Sequence, residues 1–257
     1  MNIIGIIPAR MGSSRFPGKP LAKILNIPMI GHVYFRSKMS KLLSEVYIAT
    51  CDREIADYVN SIGGKFVMTK NTHERASDRT AEAIGKIEQE TGRKVEIVVM
   101  IQGDEPMVTP EMIDAAVQPL VDNSSIQVSN LMAELGGAEE HDNKNEVKVV
   151  VDKNSNALYF SREAIPSRWK LGEKVLMLKQ VCIIPFRRDF LTKFNELEPT
   201  PLEIAESVDM MRVLEHGYKV RMVRSPIKIT YSVDTPEDLK DVEGAMENDA
   251  LVKDYKK

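Results

Sequence analysis

Apolar runs and helical spacings alternate through the first half of the chain. Ile3 to Ile7 reads as a buried strand, Met29 to Lys41 as a helix and Val46 to Thr50 as a second strand. Asp52 follows in position to cap the next helix, which Gly63 and Gly64 break before a short strand, Lys65 to Met68. A helix from Arg79 to Glu90 leads into Glu96 to Ile101, the strongest strand signal in the chain. Pro110 then opens a helix at a position where its missing N–H costs little. Strands that alternate with helices and read as continuous apolar runs predict a parallel sheet covered on both faces. Ligands of such sheets bind beyond the carboxyl ends of the strands, which directs attention to residues 8–20 and 102–106.

The second half is patterned differently. Val147 to Val151, Ala157 to Phe160 and Val175 to Phe186 predict strands with short connections, a mixed or antiparallel insertion. A helix from Leu202 to His216 is expected to end at Gly217, with a strand from Val220 to Val223 after it. Asp234-Thr235-Pro236-Glu237-Asp238 reads as a helix start, with a capping residue before proline and acids in the first turn. The polar tail after Glu247 is expected to fray.

Composition narrows the function classes. The 257 residues, 43% of them hydrophobic, suffice for one large domain or one domain with a substantial insertion. A formal net charge of -3 offers no basic excess for nonspecific nucleic-acid binding. Cys51 and Cys182 lie in apolar stretches without metal-ligand spacing and read as buried thiols. The N-terminal apolar run has no basic leader and is too short to span a membrane, which predicts a cytoplasmic protein without a membrane partner.

Five stretches carry candidate chemistry. The loop from Pro8 to Pro20 places Arg10, Arg15 and Lys19 among glycines and serines directly after a strand. That is either a solvated basic loop or a phosphate site, and its spacing fits neither the dinucleotide fingerprint nor the Walker loop. Gln102-Gly103-Asp104-Glu105-Pro106 follows the strongest strand; Asp104 is a hard oxygen ligand suited to Mg²⁺, or part of an ordinary turn. Asp234 alone reads first as a helix cap. His73 to Arg79 is a polar loop entering a helix, and Leu158 to Pro166 carries Arg162, a carboxylate clamp or a surface arginine.

Taken together, these stretches resemble the cytidylyltransferases that activate 3-deoxy-manno-octulosonate (KDO), and more loosely those acting on sialic acid or on spore-coat polysaccharide precursors. The segment Ile7 to Leu21 is similar to their N-terminal signature, Gln102 to Pro106 to their Gln-Gly-Asp-x-Pro block, and Val233 to Asp238 to their Val-Asp-Thr-Pro-Glu-Asp motif. The resemblance covers nearly the whole chain except the tail. It implies a three-layer, Rossmann-like α/β fold with a mostly parallel sheet and a smaller inserted β-rich segment that builds a homodimer. The nucleotide-binding part would be residues 1–125 and 218–246, and the sugar-binding and dimerisation part 126–217. It further implies transfer of CMP from CTP to a 2-keto-3-deoxy sugar acid, KDO or a close relative, with release of pyrophosphate and with Mg²⁺ as cofactor, for cell-surface polysaccharide synthesis. Ala9, Arg10, Ser13, Arg15, Lys19, Ser77, Arg79 and Gln102 would bind CTP, and Asp104 and Asp234 the metal. Arg10, Lys19 and the two aspartates would form the catalytic set, while Gln102, Arg162, Gln180 and Asp209 would meet the sugar.

The chain departs from the family pattern in places. Arg75 and Ala76 replace a serine and a glycine of the His-x-Ser-Gly-Thr-acid-Arg motif, so base recognition is expected to differ in detail. Gln180-Val181-Cys182-Ile183-Ile184 stands where the family has His-Leu-Gly-x-Tyr, and Asp209-Met210-Met211-Arg212 where it has Glu-Gln-Leu-Arg. These losses of polar contacts predict a sugar that differs from KDO, an 8-amino analogue or a nine-carbon acid among the alternatives. A CTP-binding protein without catalysis is the remaining alternative.

Overall fold

Ile3, Ile4, Ile6 and Ile7 are all buried, and the strand they build, β1 (Ile3–Ala9), runs through the middle of a parallel sheet. The structure, a computed structural model, describes residues 1–12, 16–228 and 230–256. Its chain divides into two units, Met1–Asp114 with Thr230–Lys257, and Ala115–Ile229.

In the first unit β1 leads to a two-residue hairpin, β2 (Lys23–Ile24) and β3 (Ile27–Pro28), with Leu25 and Asn26 at positive φ in the turn. Helix α1 (Met29–Lys38) precedes β4 (Glu45–Thr50), α2 (Arg53–Ser61), β5 (Phe66–Met68), α3 (Ala76–Thr91), β6 (Ile97–Ile101) and the start of α4 (Pro110–Asp122). The strands lie in the order β6-β1-β4-β5, and every pairing among them is parallel. Continuous apolar runs thus become parallel strands with α1 and α3 packed against them, as the sequence pattern predicts.

The second unit takes up the rest of α4, then β7 (Ser129–Glu134), α5 (Ala138–Asp142), β8 (Lys148–Val151), β9 (Ala157–Ser161), β10 (Leu178–Val181) and β11 (Ile183–Arg187). Helices α6 (Arg188–Glu196), α7 (Pro201–Glu206) and α8 (Met210–Glu215) and strand β12 (Arg221–Arg224) complete it. Its sheet runs β12-β7-β10-β8-β9, antiparallel except for the parallel pairing of β12 with β7. That last pairing assigns residues 221–224 to this sheet, so the division falls after 114 and 229 rather than after 125 and 217. The single helix expected over 202–216 is two. Ser207 adopts a left-handed conformation (φ 53°) and separates α7 from α8. A buried bidentate pair then ties them together, Arg212 Nε and Nη2 each donating to Glu203 at 2.8 Å.

The chain ends back in the first unit with α9 (Pro236–Met246) and α10 (Ala250–Tyr255). The tail therefore does not fray. Val242, Met246 and Val252 join Ile24, Met29 and Val233 in one apolar cluster, with Tyr255 packed against it. The signal was a pair of apolar residues three apart, Val252 and Tyr255, hidden in a polar composition. Among the described residues Cys51 and Cys182 form no disulfide, and both are only half-buried. Among the described residues no helix is long and apolar enough to cross a membrane.

Candidate functional site

The carboxyl ends of β1 and β6 meet at a cleft of about 330 Å³ in the first unit. Close approach is possible because of Gly103. A Cβ there would come within 3.0 Å of Ile30 and 3.3 Å of the Pro8 carbonyl, so a larger residue would crowd the turn after β6 against β1. The loop after β1 is fixed at both described ends. Gly18, at φ 76°, donates its N–H to the Met11 carbonyl at 3.0 Å, and the Met11 N–H donates to Asp52 Oδ2 at 2.7 Å. The Asp52 carboxylate, expected to cap α2, makes no side-chain cap there and holds the loop instead. Nothing in the local sequence marks this, because the partners lie 41 positions apart.

Left-handed Gly18 starts the 3₁₀ turn Lys19–Leu21. From it the Lys19 ammonium donates to Asp104 Oδ2 at 2.9 Å and to the Val233 carbonyl at 2.7 Å, and lies 3.4 Å from Asp234 Oδ1. Three residues spread over more than two hundred positions thus converge. The Val233 N–H also donates to the Asp104 carbonyl at 2.9 Å, which locks the segment before α9 to the turn after β6. Asp234 is not the cap of α9. Thr235 is, in a capping box with Asp238, whose Oδ2 accepts the N–H groups of both Asp234 and Thr235 at 2.8 Å. That arrangement lets the Asp234 side chain turn to Lys19.

The opposite wall is the entrance to α3. His73, Glu74, Arg75, Ala76 and Arg79 line the cleft there, facing Arg10 and Gln102. The N-terminus of a sixteen-residue helix adds partial positive charge at this point. Arg79 is buried; its Nη1 donates to Thr69 Oγ1 and the Lys70 carbonyl, while its buried Nη2 has no hydrogen-bond partner among the described residues. Ser77 is fully buried in the first turn of α3. His73 pairs through Nε2 with Glu82, which also accepts the Lys70 N–H at 2.9 Å and the Lys86 ammonium at 2.8 Å. Partial burial alone would raise the Glu82 pKa, but Lys86, the Lys70 N–H and His73 together hold it at about 2. The local pattern assigns His73 no catalytic duty and does not mark Glu82; their nine-residue spacing from loop to helix face is the available signal.

Of the expected nucleotide residues, Ala9, Arg10, Lys19, Arg79, Gln102 and Asp104 therefore line one cleft, with Asp234 bonded to Lys19 at its edge. Ser13 and Arg15 lie outside the described residues. Arg162, Gln180 and Asp209 belong to the second unit. There Arg162 donates from Nε to the Glu206 carbonyl at 2.9 Å and from Nη1 to the Lys144 carbonyl at 3.0 Å. Gln180 Nε2 donates to Asn130 Oδ1, and Asp209 stands at the N-cap of α8. Ile184 and Met210, where the family pattern is polar, are buried in the core.

Asp104 and Asp234 offer hard oxygens at one point, and no group of three or more histidine, cysteine or acidic side chains gathers among the described residues. Such a pair fits Mg²⁺, which takes one or two carboxylates and completes its shell with phosphate and water.

The model of the cytidylyltransferase family matches residues 4–229. The 3-deoxy-manno-octulosonate cytidylyltransferase of Geobacter metallireducens is 42% identical over 252 residues, 94% of this chain and 96% of that protein. The protein of the same description from Syntrophobacter fumaroxidans is 42% identical, over 98% of this chain and 99% of its own. Among solved structures, CMP:2-keto-3-deoxy-manno-octonic acid synthetase complexed with CTP matches with a TM-score of 0.87 at 37% identity, covering 96% of this chain and 99% of that one. A cytidylyltransferase from Leptospira borgpetersenii, 16% identical with a TM-score of 0.65 over 99% of this chain and 94% of its own, shares the fold.

Proposed function

The chain belongs to the cytidylyltransferase family, and from that footing we propose that it transfers CMP from CTP to KDO or a close 2-keto-3-deoxy relative, releasing pyrophosphate. The observation that carries this reading is the meeting of Lys19, Asp104 and Asp234 at the ends of β1 and β6. A sugar hydroxyl attacks the α-phosphorus, its bond to the new oxygen forms as the bond to pyrophosphate breaks, and the proton leaves to solvent. Such a reaction is a matter of positioning and charge, and no side-chain nucleophile is required.

The residues divide the work by chemistry. Arg10 and Lys19 offset triphosphate charge, and the glycines of the loop admit it close to the backbone. Arg79 and the N-terminus of α3 are proposed to meet the base and ribose, with Gln102 supplying an amide. Asp104 and Asp234 are proposed to hold Mg²⁺, which would offset phosphate charge and lower the pKa of the attacking hydroxyl. The remaining N–H groups of Arg162, with Gln180 and Asp209, are proposed to meet the sugar acid. A homodimer is proposed through the second unit, supported by exposed Leu158 on β9 and Ile204 on α7. A cytoplasmic location is part of the same reading. Phosphorus NMR of reactions with CTP, Mg²⁺ and either KDO or its 8-amino analogue tests it: a sugar phosphodiester and pyrophosphate are expected in equal amounts with at least one of the acids, and intact CTP with both would sink the proposal.

A further inference from the structure

We propose that Lys19 is an internal counter-ion which keeps the two aspartates from taking a divalent metal until a triphosphate draws the ammonium away. The inference rests on the nucleotidyl-transfer reading and adds an order of events: metal binds together with nucleotide, not before it. An ammonium has three N–H donors, and Lys19 spends them on Asp104, Asp234 and the Val233 carbonyl. The lysine side chain is only 13% exposed, against 31% for Asp104 and 18% for Asp234, so water screens the triad poorly. A divalent ion approaching the same carboxylates meets a like charge at contact distance. A triphosphate entering the cleft changes that balance, because it offers Lys19 several anionic oxygens and brings further ligands for the metal. A lysine that merely braced the turn after β6 would affect stability and leave metal affinity unchanged.

The experiment measures Mn²⁺ binding by electron paramagnetic resonance without nucleotide, on wild type, Lys19→Met and Lys19→Met/Asp104→Asn. Wild type is expected to bind weakly, the single variant about tenfold tighter or more, and the double variant to lose that gain. Equal affinity in wild type and Lys19→Met overturns the inference. Low-micromolar binding by nucleotide-free wild type does so without any variant. Thermal melts cover the case of a poorly folded variant. Lys19→Met that folds only with Mg²⁺ supports the inference, since the metal then supplies the missing charge. A variant that stays unfolded with and without Mg²⁺ shows that metal cannot take the place of lysine and overturns it. Pyrophosphate release by wild type is followed alongside. Release together with equal Mn²⁺ affinities leaves the transfer reading standing and removes only the counter-ion. No release with any 2-keto-3-deoxy acid removes the transfer reading and the inference that rests on it.

Discussion

Tyr255, the final residue of the last helix, shares a 2.8 Å hydrogen bond with Nδ1 of His32 in α1. The Ile24 carbonyl, 2.8 Å from Nε2, can only accept, so Nε2 carries the hydrogen and Nδ1 accepts from the tyrosine. Arg36 Nε donates to the same hydroxyl at 3.0 Å, and its Nη2 pairs with Asp249 at 2.6 Å. The C-terminal helix is thus bonded to the helix that begins at Met29, on the wall of the cleft. Tyr255→Phe strands a buried nitrogen on each partner and is expected to lower stability by about 1–3 kcal/mol in urea unfolding. No change in the midpoint would mean that α10 is an appendage.

His32 gives this contact a pH dependence. Burial, with Arg36 and Lys256 nearby, lowers its pKa from 6.5 to about 4, against the opposing pull of the Ile24 and Ile27 backbones. The unfolded chain therefore takes up a proton below 6.5 that the folded protein refuses. Stability is complete above that value, falls as pH drops through the window, and is flat for this residue below about 4. The loss should reach about 2 kcal/mol by about pH 5 and about 3 kcal/mol at the bottom of the window. His32→Gln should flatten that part of the profile in chemical denaturation. An unchanged slope in the variant would assign the acid sensitivity to other groups.

Much of this was legible from sequence, for identifiable reasons. The strands of the first unit are continuous apolar runs, and a parallel sheet covered by helices accepts little else. Lys19, Asp104 and Asp234 each follow or precede a regular element, which is where ligands of such sheets are met. What escaped are long-range pairings of ordinary residues. Asp52 looks like a helix cap until Met11 is seen beside it, and Asp234 looks like one until Thr235 and Asp238 are seen to do that work. The break at Ser207 escaped because serine at positive φ has no sequence signature, in contrast to Gly217.

The pair Glu203–Arg212 spans that break inside the core. Arg212→Met removes the counter-ion of a buried carboxylate and is expected to cost about 3–5 kcal/mol. Glu203→Leu combined with Arg212→Met should cost less than Arg212→Met alone, since no charge is left behind. Equal losses in calorimetric melting would show that packing, not charge, dominates there.

Lys19 is expected to discriminate among nucleotides by phosphate number. Lys19→Ala should weaken CTP by about tenfold or more and CMP much less, as expected of an ammonium that serves the β- and γ-phosphates. Titration calorimetry giving the same loss for both would move Lys19 away from those phosphates.

Asp104→Asn and Asp234→Asn each remove one charge at nearly constant size. Each should reduce turnover by about a hundredfold or more while circular dichroism stays that of wild type. Full activity in either variant would eliminate the two-aspartate arrangement.

Transfer of CMP to a 2-keto-3-deoxy acid is tested most directly through its sugar. Ile184 and Met210 are buried in the core, so their apolar character serves packing there. That weakens the sequence argument for an altered substrate, although Gln180 and Asp209 still differ from the family pattern. The most direct measurement is kcat/KM for pyrophosphate release from CTP and Mg²⁺ with KDO, its 8-amino analogue and a nine-carbon sugar acid. Release that depends on both CTP and one of the octulosonates, and is lost in Asp104→Asn, is the result expected. Release with none of the three acids, or undiminished release in Asp104→Asn, would contradict the account.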